Sequence, residues 1–168
     1  MAKENMVARV MVHINGTIDA NNHATVSATY SGFSIPTANE GKTVVANDGT
    51  IDLTAIDRDK SKYKKDVDIV FGLEGLVTDS AGNAHSFHWP SDPNNPGSGD
   101  AAVSVTGKNP DKFNATLPNV NTLILLDQDD DGERYQYELE LHIEPLEAGG
   151  SGWTVPIDPV VINRGVGN

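Results

Sequence analysis

The chain has no cysteine among its 168 residues, which excludes a disulfide framework, a thiol nucleophile and a cysteine metal site. Positive charge is scarce. Lys and Arg total 12 against 24 Asp and Glu, and the net charge of -12 repels nucleic acid and anionic membrane, so neither is expected as a partner. No apolar run approaches the length of a membrane span. The start is polar, and Arg9 and His13 interrupt the first apolar stretch, so it does not read as a signal peptide and cytoplasmic residence is the expectation. There is no Gly-rich phosphate loop after a strand, no nucleophile elbow and no serine paired with a base, so catalysis is not expected. A convincing amphipathic helix is missing too; the charged stretch Asp57 to Lys65 offers at most one turn.

What the sequence does contain is β pattern. Ala8, Val10, Val12 and Ile14 alternate with Arg9, Met11 and His13, a half-buried first strand that the Asn15-Gly16 turn dipeptide is expected to end. Further strands are predicted near 25–30, 43–46, 51–55, 67–77, 84–89, 101–106, 121–126, 135–143 and 154–162. Asn47-Asp48-Gly49, Asp79 to Asn83 and the Gly149 to Gly152 run supply turns between them. About nine to ten short, mostly antiparallel strands in one domain over residues 1–168 imply an all-β sandwich or barrel. Pro90 to Gly99, with three prolines and no apolar side chain, is expected to be a long exposed loop.

The sharpest local motif is Asp127, Gln128, Asp129, Asp130, Asp131, Gly132, then Glu138, the spacing of an EF-hand calcium loop. Such a loop must exit into a helix. Here Tyr135, Tyr137, Leu139, Leu141 and Ile143 alternate with Gln136, Glu138, Glu140, His142 and Glu144, which is a strand, and an extended chain carries Glu138 away from the loop. The window therefore reads as a β-hairpin connection. The alternative is a calcium site of Asp127, Asp129 and Asp131 with oxygens from a neighbouring loop, because clustered aspartates repel and a divalent cation relieves them. No other cofactor is implied.

Phe87 and Trp89, flanking His88 before the proline-rich loop, are either core plugs or a stacking platform for a sugar or peptide. His85 and His88 are three apart, on opposite faces of one predicted strand, and so form no metal pair by themselves. His142 shares a strand face with Glu138, Glu140 and Glu144, which reads as a solvated charge ladder rather than an acid–base site.

Two acid–proline dipeptides mark the C-terminal third: Glu144-Pro145 after the alternating strand, and Asp158-Pro159 within Pro156 to Asn163. Over about residues 119–163 the chain resembles the DP-EP family of small bacterial proteins, and its ending is more faintly similar to AidA/PixA-type inclusion-body proteins. The resemblance implies an immunoglobulin-like β-sandwich with no assigned activity, so it carries over no catalytic residues. Proline also gives these dipeptides a structural reading: Pro145 ends its strand, and Pro159 marks an edge or bulge. The expectation is a protein that acts by binding or assembly, its partner a second copy or a protein or carbohydrate ligand; the alternative is a calcium-stabilised binding module.

Overall fold

Alternation, not the Asn15-Gly16 dipeptide, sets the length of the first strand. In the computed structural model, which describes residues 2–128 and 132–163, β1 runs Glu4–Ile18 and passes straight through that dipeptide. Met6, Ala8, Val10, Val12, Ile14 and Ile18 are buried on its inner face. Gly16 continues the inner row because its space is taken: a Cβ there would lie 2.9 Å from Val77 Cγ2. The expected turn is thus overruled by packing, and it comes at Asp19–His23 instead. There Asp19 Oδ1 accepts from the Asn21 and His23 N–H groups at 2.8 and 2.9 Å, and Asn22 takes φ +67, which Asn tolerates because its side chain bonds locally.

The remaining strands are β2 Ala24–Ile35, β3 Ile51–Asp52, β4 Tyr63–Asp79, β5 Ala84–His85, β6 Phe87–His88, β7 Val103–Thr106, β8 Phe113–Asn119, β9 Thr122–Asp127, β10 Arg134–Ile143 and β11 Trp153–Asn163. They form two mixed sheets. One has the order β2-β1-β4-β9-β8 with β5 beside β4; the other has the order β3-β11-β10-β6 with β7 beside β10. The ladders are mostly antiparallel, but the long β1·β4 ladder and the short β11·β3 contact are parallel. Inner residues of both sheets share one buried cluster, including Val12, Phe71 and Leu123 from the first and Tyr137, Leu141 and Ile157 from the second. Phe71 and Tyr137 meet across the layers with ring centroids 5.5 Å apart. The chain is an all-β protein of two packed sheets.

Strand β10 follows its sequence pattern: Tyr135, Tyr137, Leu139, Leu141 and Ile143 are all buried. The Asp-rich window before it does not join a hairpin. β9 lies between β4 and β8 in one sheet while β10 belongs to the other, so the two strands do not pair with each other. Alternation tells which side of a strand faces the core, not which strand it pairs with. In the first half of β10, the register against β11 steps from Leu139↔Ile157 to Tyr137↔Val160, so Asp158-Pro159 sits at a bulge, where a missing N–H costs no ladder bond.

Other expectations are corrected at their ends. Thr43–Ala46 contributes only the isolated bridge Val45↔Ile51, and β8 falls where no strand was predicted. The Asp57–Lys65 stretch makes one turn, Lys62 N–H to Asp59 O, before β4 begins. The predicted 84–89 strand breaks at Ser86, with β5 on one sheet and β6 on the other. The proline-rich loop is mostly exposed, and its end covers the β8 edge through Gly99 N–H to Ala115 O and Leu117 N–H to Gly97 O. Among the described residues no helix is long and apolar enough to cross a membrane.

The β4–β5 turn repeats the Asp19 device. Asp79 accepts from the Ala81 and Asn83 backbone N–H groups and from Asn83 Nδ2, all within 2.9 Å. These bonds, the Asn83 side chain first, hold the Asp79 carboxyl down at about 2. A carboxyl depressed by folding stabilises above its unfolded pKa near 3.8 and loses that contribution as the pH falls toward 2. Asp79→Asn should therefore be less stable than wild type at neutral pH in denaturant titrations, with the gap closing between about pH 4 and 2. A gap that ignores pH would show that the charge is not what holds the turn.

Candidate functional site

The outer face of the larger sheet is the first candidate. On β1 the odd-numbered residues face outward, and the register sets each against its neighbours. One row reads Ile35, Val7, Asp68, Leu126 across β2, β1, β4 and β9, and the next reads Phe33, Arg9, Val70, Ile124. Met11 extends the second row's apolar surface over Gly72. Phe33 is 58% and Ile35 42% exposed, while Val7, Met11, Val70, Ile124 and Leu126 are half-buried. A sheet with one solvated face normally presents polar side chains there. Here six of the eight positions in the two rows are apolar, interrupted by Arg9 and by Asp68, which accepts from Asn5 Nδ2 at 3.2 Å; farther along, His13 meets the Glu74 carboxylate and the face turns polar. Contiguous exposed apolar surface of this kind marks an interaction face.

The second candidate lies on the outer face of the other sheet. β6 pairs with β10 so that His88 stands opposite His142 and Phe87 opposite Ile143. Glu144, two residues beyond His142, completes the group: His88 Nε2 is 2.7 Å from Glu144 Oε1, and His142 Nε2 is 4.0 Å from Glu144 Oε2. The imidazole centroids are 5.0 Å apart, tilted by 42°. Each ring is anchored through its other nitrogen, His88 Nδ1 to Trp89 O at 2.8 Å and His142 Nδ1 to Thr154 Oγ1 at 3.2 Å. Sequence reasoning placed His142 and Glu144 on one face and read Glu144 as a strand end. His88 was beyond its reach, because only the long-range β6·β10 register brings it there.

His85, buried on the first sheet, donates from Nδ1 to Glu144 O at 2.8 Å and stacks edge-on to Trp153. It borders a shallow groove of about 400 Å³ between Asn22, Pro145, Leu146 and Trp153. Trp153 closes one wall by donating from Nε1 to Asn22 O at 3.0 Å.

The residues singled out in the sequence are dispersed. Trp89 is completely buried, edge-on to Phe71, and presents no ring face to solvent; Phe87 is half-buried and packs against the core. Asp127 is the last residue of β9, 3% exposed and opposite Val67 and Phe113. Asp129 and Asp131 lie outside the described residues. Glu138 is held on β10 opposite Ser104, so the helical exit of an EF-hand is absent there. In comparisons with known proteins, no family model and no curated sequence matches this chain.

Proposed function

We propose that this chain is an immunoglobulin-like β-sandwich, of the kind its DP-EP-like ending suggests, that acts by assembly rather than catalysis, pairing with a second copy through the outer face of its larger sheet. The observation that carries this reading is the apolar double row centred on Val7 and Val70, with Phe33 and Ile35 exposed at its β2 margin. The double row spans four strands about 4.8 Å apart and two outward rows about 6.8 Å apart, which makes it the central part of an interface rather than the whole of one, since each partner in a standard interface buries ~800 Å². One cation and one anion, Arg9 and Asp68, sit on adjacent strands within the patch. A two-fold related copy can pair each with its opposite, which suits a self-complementary interface.

Net charge opposes the pairing. Each copy carries -12, so their long-range repulsion weakens association at low ionic strength, and salt should strengthen it by screening. Sedimentation velocity is expected to show a dimer that tightens as salt is raised. Val70→Glu, which places a charge in the middle of the patch without touching the core, should convert it to monomer with an unchanged circular dichroism spectrum. A wild-type chain that stays monomeric at high protein and salt concentrations, or a Val70→Glu variant that dimerises as wild type does, would overturn the reading.

A further inference from the structure

We propose that His88, His142 and Glu144 form a binding site for one divalent transition-metal ion of the zinc class. The donor atoms all lie within 4.8 Å of one another, and two imidazoles with one carboxylate suit zinc, cobalt, nickel or copper rather than calcium or magnesium. The site stands on the sheet opposite the apolar patch, so its fate is independent of the assembly reading.

The ring orientations point to a cation. Trp89 O can only accept, so His88 Nδ1 donates in their 2.8 Å bond, and Nε2 is the ring nitrogen turned toward Glu144 Oε1 at 2.7 Å. A lone pair and a carboxylate oxygen hold that separation only when a positive charge is shared between them. A proton satisfies that one contact. It leaves His142 Nε2 unengaged by Glu144, because 4.0 Å is too long for a hydrogen bond. A metal ion can engage all three side chains: bonds of about 2.0–2.1 Å at a tetrahedral centre set donor atoms roughly 3.3–3.4 Å apart, so on binding the His88–Glu144 contact opens from 2.7 Å and the His142–Glu144 contact closes from 4.0 Å.

The surroundings fit the same reading. Trp89 O and Thr154 Oγ1 hold the two rings by their far nitrogens, the arrangement by which outer partners fix metal-binding imidazoles. Gly152, at φ +65, keeps the approach to His142 clear: a Cβ there would lie 3.1 Å from Nε2 and 2.3 Å from Ile143 O. The two imidazole side chains are 23% and 21% exposed and Glu144 47%, so an ion can enter and take water as its fourth ligand.

Isothermal titration of zinc chloride and cobalt chloride into the chelator-treated full chain tests this. One ion per chain is expected, with the affinity lowered at least tenfold in His88→Ala, in His142→Ala and in Glu144→Gln. Thr154→Val should weaken binding by about tenfold through loss of the outer partner. His13→Ala and His23→Ala, which remove the other surface histidine–acid pairs, should bind as wild type does. Excess calcium should not compete. Should an alanine variant unfold, imidazole nitrogen spectra of the wild-type chain decide: zinc must shift Nε2 of both His88 and His142 while His88 Nδ1 keeps its proton. Absence of binding, equal binding in wild type and His88→Ala, or shifts confined to His13 or His23 would overturn the site and leave a histidine–glutamate contact that shares only a proton.

Discussion

Leu141→Asp should destabilise the protein by on the order of 4 kcal/mol or more, or prevent folding, whereas Glu140→Ala should change stability by no more than about 0.5 kcal/mol. Leu141 is fully buried on the inner face of β10, opposite Val155, so an aspartate there faces hydrocarbon with no partner. Glu140, one residue earlier, points outward and is half-buried. Its carboxyl is raised, first by that burial and then by the charge of Glu138, so removing it forfeits nothing favourable. Urea titrations of the two variants beside wild type make the comparison. Equal losses would mean that the two faces of β10 have been assigned wrongly, and the sandwich core with them.

Trp89→Ala is expected to cost about 3–5 kcal/mol, the range for deleting a large aromatic from a packed interior. The indole is wholly buried and meets Phe71 edge-on at 6.5 Å. Its Nε1 is buried without a hydrogen-bond partner, which gives Trp89→Phe a different outcome. Phenylalanine leaves a smaller void and removes an unsatisfied donor whose burial costs about 1–3 kcal/mol, so the two effects offset and the net loss should be under about 1.5 kcal/mol. Denaturant titration of both variants separates a core plug from a ligand platform. Unchanged stability in Trp89→Ala would show that the ring does not support the core.

Strand faces were legible in the sequence because alternation is a property of each strand alone. Val10 and Val12 against Arg9 and Met11, and Leu139 and Leu141 against Glu138 and Glu140, fixed which side is buried, and the structure keeps both assignments. Local conformational signals were legible where nothing larger opposed them. The Asp79 to Asn83 turn forms as its residues suggest, and the Asp158-Pro159 pair sits at a bulge. The Asn15-Gly16 signal failed because β1 continues with β2 and β4 paired along both its edges, and a turn there would forfeit those ladders.

The sequence by itself thus determined the β class, the inner and outer faces of the long strands, and the absence of cysteine chemistry. Only the tertiary structure decided that β9 and β10 belong to different sheets, that Ser86 divides one predicted strand between two layers, and that His88 stands against His142 and Glu144. It also decided that Phe33, Val7, Val70 and Ile124, each unremarkable in its own segment, form one continuous outer surface. The reason is physical. A strand's period-two pattern is written within five or six neighbouring residues, whereas its partner and register are chosen by side chains far away in sequence, after the chain has closed long loops to bring them together.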